Sequence, residues 1–148
     1  MINNPKTGMS LIVKTVTRMI VGPVLFFGIY IILHGHLSPG GGFSGGVIVA
    51  LAFVNMMLSF GQEIWASRLS KTLASNLESF GALMFLIVAL MGYAGGAFFM
   101  NIMAKGKPFQ LFSAGTIPIS NISIGIKVGI GVFSIFLALV LLEKSKKE

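Results

Sequence analysis

Cysteine is absent from this 148-residue chain, and only 10% of its residues carry charge. The first absence excludes disulfides, thiolate metal sites and cysteine nucleophiles, and it leaves the redox compartment unreadable. The second, set beside 55% apolar residues and a mean hydropathy of +0.91, lies outside the range of a soluble domain and describes an integral membrane protein. Long polar stretches are missing as well. At roughly 20 residues per crossing, four spans use most of the length and leave no room for a separate aqueous domain. The formal net charge of +7 does not point to nucleic acid, because the lysines and arginines stand beside apolar runs, where they anchor orientation.

What the chain has in excess is glycine, concentrated in His34-Gly35-His36-Leu37-Ser38-Pro39-Gly40-Gly41-Gly42-Phe43-Ser44-Gly45-Gly46. Apolar runs from Met19 to Leu33 and from Val47 to Phe60 flank this stretch, so the glycines sit at a reversal between two hydrophobic rods. Proline followed by several glycines is needed only where φ must be positive or where something approaches the backbone closely. Gly35 is placed to end the first helix as a left-handed cap, and Ser44 to cap the second.

The sequence predicts an all-α membrane domain over residues 1–148, with spans at about 10–34, 44–60, 79–100 and 119–142. The polar N-terminus followed by an apolar run resembles a signal peptide, but no small-x-small cleavage site follows, so the first span is expected to be retained. Between the second and third spans, Trp65, Leu69, Leu73 and Leu77 recur every four residues. That spacing predicts a short interfacial helix with Arg68 and Lys71 on its wet side. Eight of the Lys and Arg residues near span ends (Lys6, Lys14, Arg18, Arg68, Lys71, Lys144, Lys146, Lys147) fall on one side, against Lys105 and Lys107 on the other. Both termini are therefore expected in the cytoplasm, with the glycine-rich loop outside a plasma membrane.

Few residues could carry chemistry. Lys127 lies well inside the fourth apolar run, on a small, polar face with Ser120, Ser123, Gly131, Ser134 and Ala138. An ionisable side chain there usually faces a cavity or a partner. The alternative is a snorkelling lysine, since only about 12 Å of helix separates it from Ile119. His34 and His36 fit a proton-handling or loop-bracing role better than a metal site, because spacing i,i+2 does not put both on one helix face. Glu63 and Glu78 flank the connection between spans two and three and read as solvated. The pairs Gly42/Gly46, Gly92/Gly96 and Gly125/Gly129 are expected to pack helices, within this chain or against others. Gly40-x-Gly42-x-x-Gly45 satisfies the dinucleotide pattern, but a membrane helix stands where that motif needs a strand, and no Gly-Lys-Ser/Thr follows for a phosphate loop.

Pro39-Gly40-Gly41-Gly42-Phe43, with the His34-Gly35-His36 approach and Gly45-Gly46 behind it, resembles the signature of the B subunit (MnhB/MrpB type) of Mrp multisubunit Na+/H+ antiporters. The same subunit recurs in membrane-bound hydrogenases and sulfur-reducing complexes related to respiratory complex I. The resemblance implies a non-catalytic membrane subunit with no cofactor of its own. Its partners would be other membrane subunits and the lipid bilayer, and Na+ or protons would be the transported ions. It also implies that Pro39, Gly40, Gly41, Gly42 and Phe43 matter for transport. Common antiporter members carry an acidic residue early in the fourth span, where this chain reads Ile117 to Lys127. That departure leans toward the hydrogenase-type or sulfur-reducing relatives. A purely structural assembly subunit, with no residue on the ion path, is the alternative.

Overall fold

The computed structural model describes residues 8–61, 70–103, 106–107 and 113–145. Four helices carry them: α1 (Leu11–Leu33), α2 (Gly41–Phe60), α3 (Lys71–Met91), which continues as a 3₁₀ turn over Gly92–Gly95, and α4 (Ile117–Ser145). Each is long and apolar enough to cross a membrane. The boundaries differ from the sequence expectation in three places, and glycine is the reason in two of them.

The second span opens at Gly41, before Ser44, so Gly41, Gly42, Gly45 and Gly46 are buried helical residues and the loop proper ends at Gly40. Gly40 and Gly41 take φ of 114° and 56°, the left-handed region that side chains disfavour, whereas Gly35 stays outside it and is no left-handed cap. Instead the end of α1 is closed by the His34 carbonyl, which accepts from the amides of Leu37 and Ser38 at 2.9 Å and from Ser38 Oγ at 3.0 Å.

The third span starts at Lys71 and is over by Gly95, where residues 79–100 were expected. Its N-terminal turn is held by Ser70, whose hydroxyl accepts from the Leu73 amide at 3.2 Å. Leu73 and Leu77, expected in an interfacial helix, belong to α3; Trp65, Arg68 and Leu69 lie outside the described residues. At the other end the left-handed Gly96 turns the chain back, and the Phe99 amide donates to the Ala89 carbonyl at 3.1 Å. Asn101 then joins this return to the start of α4: its Nδ2 donates to the Ala114 carbonyl at 2.8 Å and its Oδ1 accepts from the Thr116 amide at 3.1 Å. Pro118 sits in the first turn of α4, where a missing N–H costs nothing.

The helix α2 lies between α1 and α4, and α3 packs on α4. Glycine sets each crossing. A Cβ on Gly45 would stand 2.8 Å from the Gly28 carbonyl oxygen of α1, and one on Gly46 would stand 2.8 Å from the Gly125 carbonyl oxygen of α4. Backbones this close gain dispersion contacts that lipid does not supply. Toward the Phe60 end the seam fills with Ala50, Val54 and Met57 of α2 against Phe133 and Leu137 of α4, and Phe53 meets Phe133 edge-on at 6.1 Å. There α1 is pinned by a buried 2.7 Å hydrogen bond between the Thr17 and Ser59 hydroxyls. Arg18 lies 5.2 Å over the Phe60 ring.

Candidate functional site at the glycine-rich turn

The turn from His34 to Gly40 and the first turn of α2 close over one side chain of α4, Asn121. Asn121 Oδ1 accepts from the Gly42 amide at 3.4 Å. A Cβ on Gly35 would come within 2.5 Å of Asn121 Nδ2, and one on Gly42 would overlap the Asn121 carbonyl oxygen. Only glycine lets the backbone wrap an amide this tightly. Asn121 Nδ2 itself is buried and, among the described residues, has no hydrogen-bond partner; neither has the buried Ser44 Oγ, which faces Gly40. Orphaned polar atoms at this turn are costly in an apolar bundle.

The expected residues separate into different places. His34 stacks on Tyr30 with ring centroids 4.2 Å apart, its Nδ1 lying 3.1 Å from the Tyr30 carbonyl, which fits loop bracing. His36 is half-buried with its Nδ1 inside the turn. Pro39 is exposed, and Phe43 is 63% exposed, so its ring faces away from the bundle toward lipid or another protein. Asn121 was passed over because an asparagine early in a span carries no motif; its meaning comes from the glycines that meet it.

Lys127 is not brought to this turn. It is exposed on the side of α4 that packs on α3, where a Cβ on Gly81 would lie 3.0 Å from the Lys127 amide nitrogen and 3.0 Å from the Ser123 carbonyl oxygen. The small, polar face of α4 is thus the α3 seam. Two of its hydroxyls are turned onto their own helix: Ser120 Oγ donates to the Thr116 carbonyl at 3.2 Å and Ser123 Oγ to the Ile119 carbonyl at 2.9 Å. Ser134 Oγ is buried and, among the described residues, without a partner.

Glu78, expected on a solvated connection, is half-buried inside α3, with Oε1 3.8 Å from where a Cβ on Gly131 would be. Of the packing glycines, Gly125 lies against Ile32 of α1 and Gly129 against Gly46 of α2. Gly92 lies instead under the returning backbone of Ala97 to Met100, and Gly96 faces open space, so this pair stands at a turn and not at a helix crossing. Among the described residues no group of three His, Asp or Glu side chains could hold a metal ion.

Four apolar helices fastened through backbone-close glycine crossings define a multi-pass helical membrane protein. Residues 12–134 match the family described as a domain related to the MnhB subunit of Na+/H+ antiporter, and the chain belongs to that family. An uncharacterized protein of Methanocaldococcus jannaschii is 33% identical over 134 residues, which cover 82% of this chain and 50% of that protein. A chain of the membrane-bound sulfane sulfur reductase, an archaeal respiratory membrane complex, superposes with a TM-score of 0.73 at 30% identity, covering 93% of this chain and 62% of that one. The chain therefore spans about half the length of this curated relative.

Proposed function

We propose that the chain is a non-catalytic transmembrane subunit of a cation/proton antiport module, working with Na+ or protons inside a larger membrane assembly. The likeness to a subunit of a respiratory complex favours the membrane arm of a sulfur-reducing or hydrogenase-type complex over a stand-alone antiporter. In this reading both termini face the cytoplasm and the membrane is the plasma membrane, in keeping with the basic residues near the span ends. Redox chemistry belongs to partner subunits.

The observation that carries the reading is the glycine-wrapped Asn121. Irregular backbone and unpartnered amides persist at membrane depth only where neighbouring protein or a hydrated passage satisfies them. Pro39, Gly40, Gly41, Gly42, Phe43 and Asn121 would then line or gate a route at this end of the bundle, with Lys127 on a second face. Partners are supported by Asn55, an amide exposed on α2 beside the exposed Leu51 and Leu58, which a neighbouring helix would pair. Exchange of Asn121 for leucine fills the amide's place with apolar surface, and vesicles carrying the assembled complex should lose Na+/H+ exchange while the subunit still co-purifies. Wild-type exchange per assembled particle would support instead a structural subunit with no residue on the ion path.

A further inference from the structure

Glu78 is the acidic side chain that the glycine-rich turn leaves unexplained. It lies seven residues into α3, which by length alone puts it near one end of the helix. The packing puts it elsewhere. It stands against Gly131, the middle residue of the 29-residue α4. By the same register, Gly81 one turn further along α3 meets Lys127 one turn earlier on α4, so the two helices run antiparallel. A carboxyl about 10 Å along α3 and opposite the midpoint of α4 lies within the apolar length of both helices.

Three features of the seam single it out. Gly131 has no side chain and packs beside the carboxyl, where a Cβ would stand in ordinary contact with Oε1 at 3.8 Å. Ser134, one turn further along the same α4 face in the direction that α3 side chains lean, has a fully buried hydroxyl with no partner among the described residues. Lys127 is the charged group that α4 presents to this seam, one turn on the other side of Gly131. Lys71 opens α3 two turns before Glu78. Among the described residues neither Glu78 nor Lys127 forms an ion pair.

An acid within a membrane-spanning helix requires a positive partner, and the buried, unpartnered Ser134 hydroxyl on the same face of α4 supplies an oxygen to hold one. We propose that Glu78, with Ser134 Oγ beside it, is a binding site for an exchangeable positive charge, a proton or a sodium ion, between α3 and α4. The site rests on reading the chain as an ion-transporting subunit, and it is separate from the glycine-rich turn.

Dicyclohexylcarbodiimide, which reacts with protonated carboxyl groups in apolar surroundings, tests it in membranes holding the assembled complex. The expected result is one adduct on this chain, mapped to Glu78. Protection by added NaCl but not by choline chloride assigns the site to sodium and protons in competition, whereas indifference to NaCl assigns it to protons alone. Glu78→Gln should abolish the adduct and most of the ion exchange while the complex remains assembled, and Glu78→Asp should restore part of both. An intact complex that leaves Glu78 unlabelled at every pH, or a Glu78→Gln complex that exchanges ions at the wild-type rate, overturns the proposal. If that variant is fully active while the Asn121→Leu complex is not, the seam site falls and the transport reading stands.

Discussion

Adding one methyl group to successive glycines of the α2/α4 crossing should change stability by amounts that the geometry ranks in advance. At Gly129 the new Cβ would meet the Gly46 carbonyl oxygen at 3.4 Å, an ordinary contact; at Gly46 it would meet the Gly125 carbonyl oxygen at 2.8 Å; at Gly42 it would overlap the Asn121 carbonyl oxygen. Alanine favours a helix over glycine by about 0.8–1 kcal/mol wherever there is room. Gly129→Ala should therefore be neutral or stabilising by up to about 1 kcal/mol. At Gly46 and Gly42 the obstructing atoms are backbone, which cannot rotate away, so the helices must part. Opening by about 1 Å forfeits a quarter to a half of the dispersion energy along the seam. Overpacking of this kind costs about 1–3 kcal/mol, which outweighs the propensity gain, and Gly42→Ala should be the worst because it also breaks the turn around Asn121. The assay is unfolding in mixed micelles with increasing denaturing detergent, read by loss of helicity and repeated for the three alanine variants. A Gly42→Ala protein as stable as Gly129→Ala would refute the idea that backbone contact fixes this crossing.

Four further outcomes follow from particular contacts. Thr17→Val and Ser59→Ala should each destabilise the α1/α2 seam and show a coupling of about 0.6 kcal/mol in a double-mutant cycle, the usual size for a hydroxyl pair in a membrane bundle. Gly96→Ala should cost about 1–2 kcal/mol although nothing stands within 4 Å of the new methyl, because φ of 100° is left-handed; hydrogen exchange should rise over residues 96–103 and not elsewhere. Phe43→Ala, at an exposed ring, should leave the isolated chain's thermal midpoint unchanged and lower the yield of co-purified subunits. Lys127→Ala should reduce ion exchange without releasing the subunit from its complex; unchanged exchange with normal assembly would make Lys127 a snorkelling residue.

The hydrophobic runs were enough to read the number and type of helices, because a bilayer admits few solutions for a 55% apolar chain of this length. Helix ends were less legible. The glycines after Gly40 look like loop residues by local preference, yet their lack of side chains is what allows α2 to begin early against Asn121. A tertiary gain at that crossing overrides a local cost of about 1 kcal/mol per glycine. Glu78 was misplaced for a related reason: the period-four leucines Leu73 and Leu77 fit an interfacial helix and the start of a spanning one equally well. Only the register between α3 and α4 shows which of the two is present.

Among the described residues the helices pack mainly in the order α1, α2, α4, α3, and large apolar side chains crowd the outer flanks, Phe26 and Phe27 on α1 and Leu83 and Leu86 on α3. Such an array acts as a partition and not as a tube. Any water-filled conduit it borders would take its second wall from outside these four helices, so the width of that conduit, and hence what it passes, would be set jointly by both walls.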